Sequence, residues 1–600
     1  MRRRTLALTL ALALLTGVVA GCGAQDGSSP SAPTQTGADE NGSGAAPQNT
    51  GDTAAPEDSD GGEKLAAVQE LNLLLFDNRV YSLDTGASHN PFEWHILGQT
   101  GEGLFRVFAD ENGFDVRELA GAESYEISDD GLTYTFKLRD HNWEDGAPVT
   151  AQNYVDAFVR VHTPENAFTY SFFYQDIVNA AEALAGAVPP TEIGVRAVDD
   201  KTLEIKLTAP APYFLDKLTL PVYYPVRADL IGADTDSSWG SSIEKTISNG
   251  PFKFAEWVRD TSVTLVKNPE YWDADSVRLE KVTLTVVNED STRAQLFNAG
   301  QLDVVSGAAD YFATWKAQAD AGEIVRVERF NGRLARLDFP WEGGTTGLTN
   351  NLKIRQALSL AIDRQEAVDL AFNGLQLPAY GLYPTGVSIS GTPVRELVSE
   401  PLTELAAQYV NDDAALRKLF DDGLAEEGFE GTRADVTLSF FTTDVVESLK
   451  VLQEYIKQTW ETKLGINVNI DLVTDQGLAY QKMLGFEYDV AYSNNISTDY
   501  NDPYHWASIW SSTGGTAQYF GGYNSPRYDA ALSSLAAESD PAKRAEIYAE
   551  LERILVAEDY QIVPIYYSQL EYFAQPYIRN FDFTSLVSPY EYSRAYIVEH

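Results

Sequence analysis

The chain has 600 residues, 44% of them apolar and 12% aromatic, with 44 basic against 88 acidic side chains and a single cysteine. That length exceeds what one hydrophobic core serves, so more than one folded unit is expected. A formal charge of −44 repels phosphate backbones and anionic lipid, which argues against nucleic-acid binding, and one cysteine excludes a disulfide within the chain.

The first residues, MRRRTLALTLALALLTGVVAGC, join three arginines to an apolar run ending in small residues before Cys22, the three-part layout of a secretory signal. The run falls short of the roughly 20 apolar residues that a spanning helix needs, and no later stretch supplies them. Val19-Ala20-Gly21 ahead of Cys22 resembles a bacterial lipobox. Residues 1–21 are therefore expected to be removed and Cys22 to carry diacylglycerol as the mature N-terminus, rather than standing as a reactive thiol. Removal takes three arginines with it, so 41 basic residues face 88 acidic ones, a formal charge near −47. From Gly23 to Glu63 there is no aromatic residue, lysine or arginine, and such a segment cannot bury enough apolar surface to order itself. Residues 22–64 read as a lipidated cysteine and a disordered acidic linker. A flexible tether of roughly 40 residues reaches on the order of 35 Å.

Beyond Lys64 the composition turns globular, without a repeat of solenoid period. In LTYTFKLR (132–139) Leu132, Tyr134, Phe136 and Leu138 alternate with polar residues, which predicts a strand with one buried face. TLEIKL (202–207) and VTLTVV (282–287) behave alike. Thr150 predicts a capped helix that starts at Ala151 and carries Tyr154, Val155 and Phe158. NLKIRQALSLAIDRQEAVDLAFNG (351–374) predicts one long amphipathic helix closed by Gly374. VTLSFFT (436–442), a helical stretch from about 444 to 463, Gly465 and the alternating INVNIDL predict a strand, helix, strand unit with parallel pairing and a right-handed crossover. Such units on both sides of the midpoint predict two α/β lobes.

The six histidines, at 89, 95, 141, 162, 505 and 600, show no metal-ligand spacing, so neither metal nor cofactor is expected. GxSxG, HExxH and GxxxxGK[ST] are all missing from the sequence. A secreted glycosidase or peptidase cannot be read from carboxylates when 88 are present. A structural adhesin would show repeats and few aromatics. The chain is expected not to be an enzyme.

Three segments, DGLTYTFKLRDHNWEDGAPVTAQNYVDAFVR (130–160), SNGPFKFAEWVRDTSVTLVKNPEYWD (248–273) and IRQALSLAIDR (354–364), occur in an order and spacing that resemble the peptide- and nickel-binding (family 5) solute receptors of bacterial ABC importers, which include oligopeptide-binding lipoproteins. Their residues read as scaffold. Trp143 and Gly146 shape a turn, Asn249-Gly250-Pro251 leads into a strand, and Asn268-Pro269 with Tyr271-Trp272 closes its far end. The resemblance implies an α/β, two-lobed, periplasmic-binding-protein-like fold of type II, cluster C, with an extra subdomain inserted in the larger lobe. The C-terminal stretch from IVPIYYSQLEYF to YIVEH resembles the family's return to the first lobe, which would then comprise 65–101, 221–334 and 571–600. The inserted subdomain would be 102–220 and the second lobe 335–570.

The segment STDYNDPYHW (497–506) bears on the ligand. Resemblance to oligopeptide receptors places the ammonium-binding carboxylate at Asp499, beside Tyr500, Tyr504 and Trp506. Every peptide offers a positive amino terminus, so one buried carboxylate serves many sequences. Burying that pair requires compensating hydrogen bonds, hence a closing cleft. The neighbours Asn501, Asp502 and Pro503 make a turn-capping role the alternative for Asp499. A loop from Ser82-Leu83-Asp84 through Ser88, His89 and Asn90 is expected to offer backbone groups to an extended peptide. Phe168, Tyr170 and Tyr174 resemble a cleft-facing wall whose rings give sequence-tolerant contact. One departure stands out: YQKMLGFEYDVAYSNN (480–495) has no arginine, where oligopeptide receptors carry arginines that help hold the peptide carboxylate, and Lys482 is its only cation. The spacing from Tyr488-Asp489-Val490 to Asp499 is also one residue longer than the family's pattern. The resemblance implies a monomeric receptor that captures short peptides and delivers them to ABC permease subunits served by a separate cytoplasmic ATPase. It would sit on the outer face of the cell membrane through lipidated Cys22, in the periplasm of a Gram-negative source. Nickel chelates, oligosaccharides and opine-like compounds suit the same fold and stay open as ligands.

Overall fold

The computed structural model describes residues 63–75, 80–88, 91–232, 238–307, 309–493, 499–514, 516–536, 538–586 and 588–600. The predicted signal, Cys22 and nearly all of the tether lie outside them. Three large apolar cores organise the described chain.

The first core belongs to a four-stranded sheet in the order Glu70–Leu75, Lys281–Val286, Ser262–Lys267, Phe252–Val258. Its first two strands are parallel and the rest antiparallel. Alternation puts Leu71, Leu73, Val263, Leu265, Val282 and Leu284 inward, where Tyr590, Tyr592 and Ile597 of the C-terminal stretch join them. The motif residues around this sheet serve a buried ionic cluster. Arg106 pairs with Glu102 at 2.5 Å and Glu591 at 2.8 Å, while Tyr271 Oη and Trp272 Nε1 donate to the other Glu102 oxygen at 3.1 and 2.8 Å. Asn249 brackets the Glu102 backbone, accepting from its N–H and donating to its carbonyl.

The second core lies over an antiparallel sheet in the order Ala122–Ile127, Thr133–Leu138, Thr202–Lys206, Val195–Asp199. Tyr134, Phe136 and Leu138 are buried and the intervening residues are not, as alternation demands. Asn153 Oδ1 accepts the Thr150 N–H at 3.0 Å, fixing the start of helix Ala151–Val161. Tyr154, Phe158 and Val161 of that helix pack into the same core.

The third and largest core surrounds Thr437–Thr442, which pairs in parallel with Asn467–Leu472 and with Val490–Ser493. Helix Glu447–Lys463 forms the crossover between the first two strands. The single helix expected over 351–374 is two helices, Leu352–Ala361 and Arg364–Phe372. Ile362 between them is extended, and the Asp363 side chain caps the second helix by accepting from the Glu366 N–H. The fully buried Arg364 guanidinium donates to the carbonyls of Ser359, Ile362 and Pro564. It thereby satisfies carbonyls that a helix end leaves orphaned. Asn373, with φ 51°, closes the second helix ahead of Gly374.

Two long strands, Val325–Asp338 and Ile562–Ala574, run antiparallel from the first core into the third. Val325–Phe330 pairs with Gln569–Ala574, beside which Val304–Ser306 adds a strand. After a break in register, Leu334–Asp338 pairs with Ile562–Tyr567. The fold is therefore two α/β lobes joined by one ribbon, with the antiparallel sheet of the second core packed on the first lobe.

Replacing Arg106 by methionine leaves the Glu102 and Glu591 carboxylates buried without their cation. The change is expected to lower unfolding free energy by about 3–5 kcal/mol, read as a fall in the urea midpoint at pH 7.

Candidate functional site

The parallel strands Thr437–Thr442 and Val490–Ser493 end at one edge of the second lobe's sheet. Ligands of open α/β sheets bind beyond such carboxyl ends. Asp499 follows the second of these strands. It is half-buried, and among the described residues no cation or hydrogen-bond donor is set against it. Loss of hydration pushes its carboxyl up to about 7. Its charge also acts on the buried phenol of Tyr170, which burial first and this carboxylate second drive well above its ordinary range, and more weakly on that of Tyr500, raised by burial and then chiefly by Asp502 and Asp176.

The turn-capping role falls to the neighbours of Asp499. Asp502 accepts the Tyr504 N–H at 2.8 Å and the Tyr548 hydroxyl at 2.5 Å, and pairs with the buried Arg544 at 3.0 Å. Asn501 accepts the Ser388 N–H at 2.8 Å and donates to the Asp115 carbonyl at 2.9 Å. It ties the second lobe to the hairpin of Phe105–Ala109 and Asp115–Leu119. These two residues hold the turn and leave the Asp499 carboxylate unused.

From Asp499 a line of aromatic rings crosses between the lobes. Tyr500 is 3% exposed and packs in the second core, 5.9 Å from Tyr213 and edge-on to Phe173 at 6.5 Å. Tyr504 stacks on Tyr213 at 4.1 Å. Phe173 stacks on Tyr170 at 5.1 Å, and Tyr170 meets Trp94 edge-on at 5.2 Å. Trp94 Nε1 donates to Ser88 Oγ at 3.1 Å. Ser88, Tyr170, Tyr500, Tyr504 and Asp499 are thus brought together, by way of Trp94, Phe173 and Tyr213, which sequence reasoning did not select. The Ser82–Ser88 loop is anchored because Asp84 takes both Arg160 terminal nitrogens, at 2.7 and 2.6 Å. Phe168 braces it from below, under the Arg160 guanidinium at 4.8 Å and against Gly86, where an added Cβ would come within 2.9 Å of the ring.

Trp506, expected beside Asp499, and Tyr174, expected in the cleft wall, lie elsewhere. Trp506 is fully buried in the core of the second lobe, because the short helix Tyr504–Ser508 turns it inward. Tyr174 is fully buried in the second core, its hydroxyl donating to the Val222 carbonyl. Lys482, the cation of the arginine-free stretch, pairs with Asp471. His89, Asn90 and Cys22 lie outside the described residues. Among the described residues no group of three or more His, Cys, Asp or Glu is placed to hold a metal, and no helix is long and apolar enough to cross a membrane.

The family model for bacterial extracellular solute-binding proteins, family 5, middle, matches residues 118–518. An oligopeptide-binding protein of Bacillus subtilis is 28% identical over 500 residues, 81% of this chain and 85% of its own. A periplasmic oligopeptide-binding protein of Salmonella typhimurium is 28% identical over 530 residues, 87% of this chain and 92% of its own. Among solved structures, the substrate-binding domain of an oligopeptide ABC transporter from Bacillus anthracis covers 90% of this chain and 100% of its own, with TM-score 0.68 and 29% identity. Listeria monocytogenes OppA bound to peptide covers 89% of this chain and 100% of its own, with TM-score 0.68 and 28% identity.

An acid whose folded pKa is raised keeps its proton where the unfolded chain has lost it, so its ionisation costs stability as pH rises from about 4 to 7. Asp499→Asn removes that cost. The variant is expected to match wild type near pH 4 and to exceed it by about 2–4 kcal/mol above pH 7, measured by urea unfolding at both pH values.

Proposed function

The chain belongs to the bacterial extracellular solute-binding proteins, family 5, and on that footing we propose that it is an exported receptor that binds short peptides between its two lobes and passes them to an ABC import permease. The observation that carries this reading is the unpaired Asp499 carboxylate at the carboxyl edge of the second lobe's sheet. A peptide ammonium supplies the missing cation and its hydrogen bonds, which offsets the cost of holding the carboxylate out of water. The aromatic line from Tyr500 to Trp94 gives contact area without demanding particular side chains. Ser88 and the loop before it stand at the far end of that line, where backbone groups pair with an extended ligand. His89 and Asn90 belong to this part of the proposal on sequence grounds. The relatives described as oligopeptide-binding proteins support the same ligand class.

Members of the family are substrate-binding transport proteins, and relatives include periplasmic ones, in accord with export of this chain. We assign the anchor to Cys22 and the tether to residues 22–64, with the protein acting as a monomer. ATP hydrolysis is left to a cytoplasmic subunit. Lobe limits at 65–101, 221–334 and 571–600, at 102–220, and at 335–570 are part of the proposal. They are supported by the separate apolar cores and by the ribbon that passes between them near residues 334 and 570. Closure about that ribbon, driven by a ligand that touches both lobes, is the transport signal.

Calorimetry with tripeptides tests the ligand assignment. Asp499→Asn is expected to weaken binding by about 3 kcal/mol or more, and N-acetylated peptides are expected not to bind. Because free Asp499 is protonated below about pH 7 and bound Asp499 is ionised, affinity rises by up to about tenfold per pH unit between pH 5 and 7 and falls again above about pH 8 as the peptide ammonium loses its proton. That slope is expected to vanish in Asp499→Asn, and full affinity in this variant would remove the assignment. Metabolic labelling with palmitate, present in wild type and lost in Cys22→Ser, checks the anchor.

A further inference from the structure

The ribbon between the lobes carries an unpaired cation. Between Phe330 and Leu334 the strand Val325–Asp338 loses register with Ile562–Ala574, and Gly332 there adopts φ +61°. Irregularities of this kind re-aim side chains out of the ladder. Within it, Asn331 Oδ1 and Arg333 Nε are both buried and without a hydrogen-bond partner. The other arginines of the strand are engaged: Arg326 with Glu571 at 2.6 Å, Arg329 with the Phe583 carbonyl at 2.8 Å, Arg336 with Asp338 at 2.8 Å. Arg333 has no carboxylate partner among the described residues, and the groups whose charge would act on it are the phenols of Tyr566 and Tyr492. Its place is informative. Leu337 stands opposite Tyr492 and Arg336 opposite Ser493, so Arg333 lies past the carboxyl end of Val490–Ser493, at the sheet edge from which the chain continues to Asp499.

We propose that Arg333 is the anion-recognition point of the cleft and takes a carboxylate of the ligand whose ammonium Asp499 takes. This rests on the peptide reading above and narrows its substrate class to zwitterionic or acidic peptides. A guanidinium keeps its proton when buried and presents donors in a fork that matches a carboxylate. Held without a counter-ion it is costly, and a ligand carboxylate relieves that cost. Asn331 Oδ1 beside it accepts an N–H of the ligand backbone. The carboxylate is either the C-terminus of a short peptide or an acidic side chain, and the ligands below separate the two.

Trialanine, trialanine amide, and the C-terminal amides of Ala-Glu-Ala and Ala-Gln-Ala are titrated by calorimetry into wild type, Arg333→Met, Arg333→Lys and Asp499→Asn. Wild type is expected to bind a carboxylate-bearing ligand about 10- to 100-fold more tightly than its neutral counterpart. The preference is lost in Arg333→Met and partly kept in Arg333→Lys. A preference confined to trialanine over its amide assigns Arg333 to the C-terminus, and one confined to the glutamate over the glutamine peptide assigns it to a side chain. Both outcomes support the proposal. Equal affinity of wild type for all four ligands overturns it without any variant having to fold, and so does a preference that survives in Arg333→Met. If all four bind equally and Asp499→Asn alone abolishes binding, the peptide reading stands and only the role of Arg333 falls. If no peptide binds wild type, both fall.

Discussion

A carboxylate held out of water without a counter-ion is costly to a fold, and Asp499, around which we propose the cleft is arranged, has no partner among the described residues. Among the described residues most other buried carboxylates are satisfied, the exception being Asp444, which burial alone pushes up to about 6. Glu102 and Glu591 share Arg106, Asp502 has Arg544 and Tyr548, and Asp489 accepts from the backbone of Ser439 and Thr346. Asp499 differs from these four although it lies in the same turn as Asp502. The turn does not need it, since Asn501 and Asp502 make the bonds that shape the loop. On the proposed reading the cost at Asp499 is one the fold carries for a partner from outside, and a ligand that removes it stabilises whichever arrangement of the lobes encloses it.

The rest of the architecture follows from having to enclose that group reversibly. Tyr500 and Tyr504 are carried by the second lobe, yet their rings rest on Tyr213 and Phe173 of the second core, which lies over the antiparallel sheet packed on the first lobe. A contact of this kind holds the lobes together while it lasts and separates without unravelling either core, because each core keeps its own Leu, Ile and Val residues. The ribbon of Val325–Asp338 and Ile562–Ala574 supplies the continuous connection. Its ladder is interrupted at Asn331 to Arg333, where Gly332 takes a left-handed backbone. A hinge needs a few residues able to absorb a change of dihedral angles, and the break in register provides them at the point where the lobes meet.

How far the sequence spoke for itself depended on how local each signal was. The strands Thr133–Leu138, Thr202–Lys206 and Lys281–Val286 were legible because their alternation is a property of six consecutive residues. The start of helix Ala151–Val161 was legible because a cap is decided within four. The break at Ile362 was hidden, since the apolar period runs on through IRQALSLAIDR, and what ends the first helix is Arg364 reaching carbonyls that include one from Pro564. Asp499 could be picked out through family resemblance, but its isolation rests on which neighbours cap the turn. Trp506 lies inside the third core while Tyr504, two residues before it, packs between the second and third, a matter of helix phase that a short loop segment does not reveal. Trp94, Phe173 and Tyr213 come from three separate elements. Nothing in the chain near any of them announces that they meet; only the packing of the inserted sheet against the first lobe does so.

The overall charge and the two poles of the cleft act at different ranges, and their combination makes physical sense of a strongly acidic receptor. A formal charge of −44 sets up a field that draws positive groups toward the protein and slows negative ones, an effect on encounter that salt screens over about 10 Å. Inside the cleft, with water displaced, contact geometry replaces that field. There, on the proposed reading, the ammonium meets Asp499, while an acidic group, disfavoured on approach, needs a compensating cation if it is to stay. If Arg333, half-buried where the ribbon loses register, is that cation as proposed, it affects residence more than approach, since a desolvated charge pair governs dissociation and a surface charge governs association. The acidic exterior thus does not oblige the receptor to prefer cationic ligands. It sets how fast peptides arrive, and the pair of opposite charges at the sheet edge sets which of them remain.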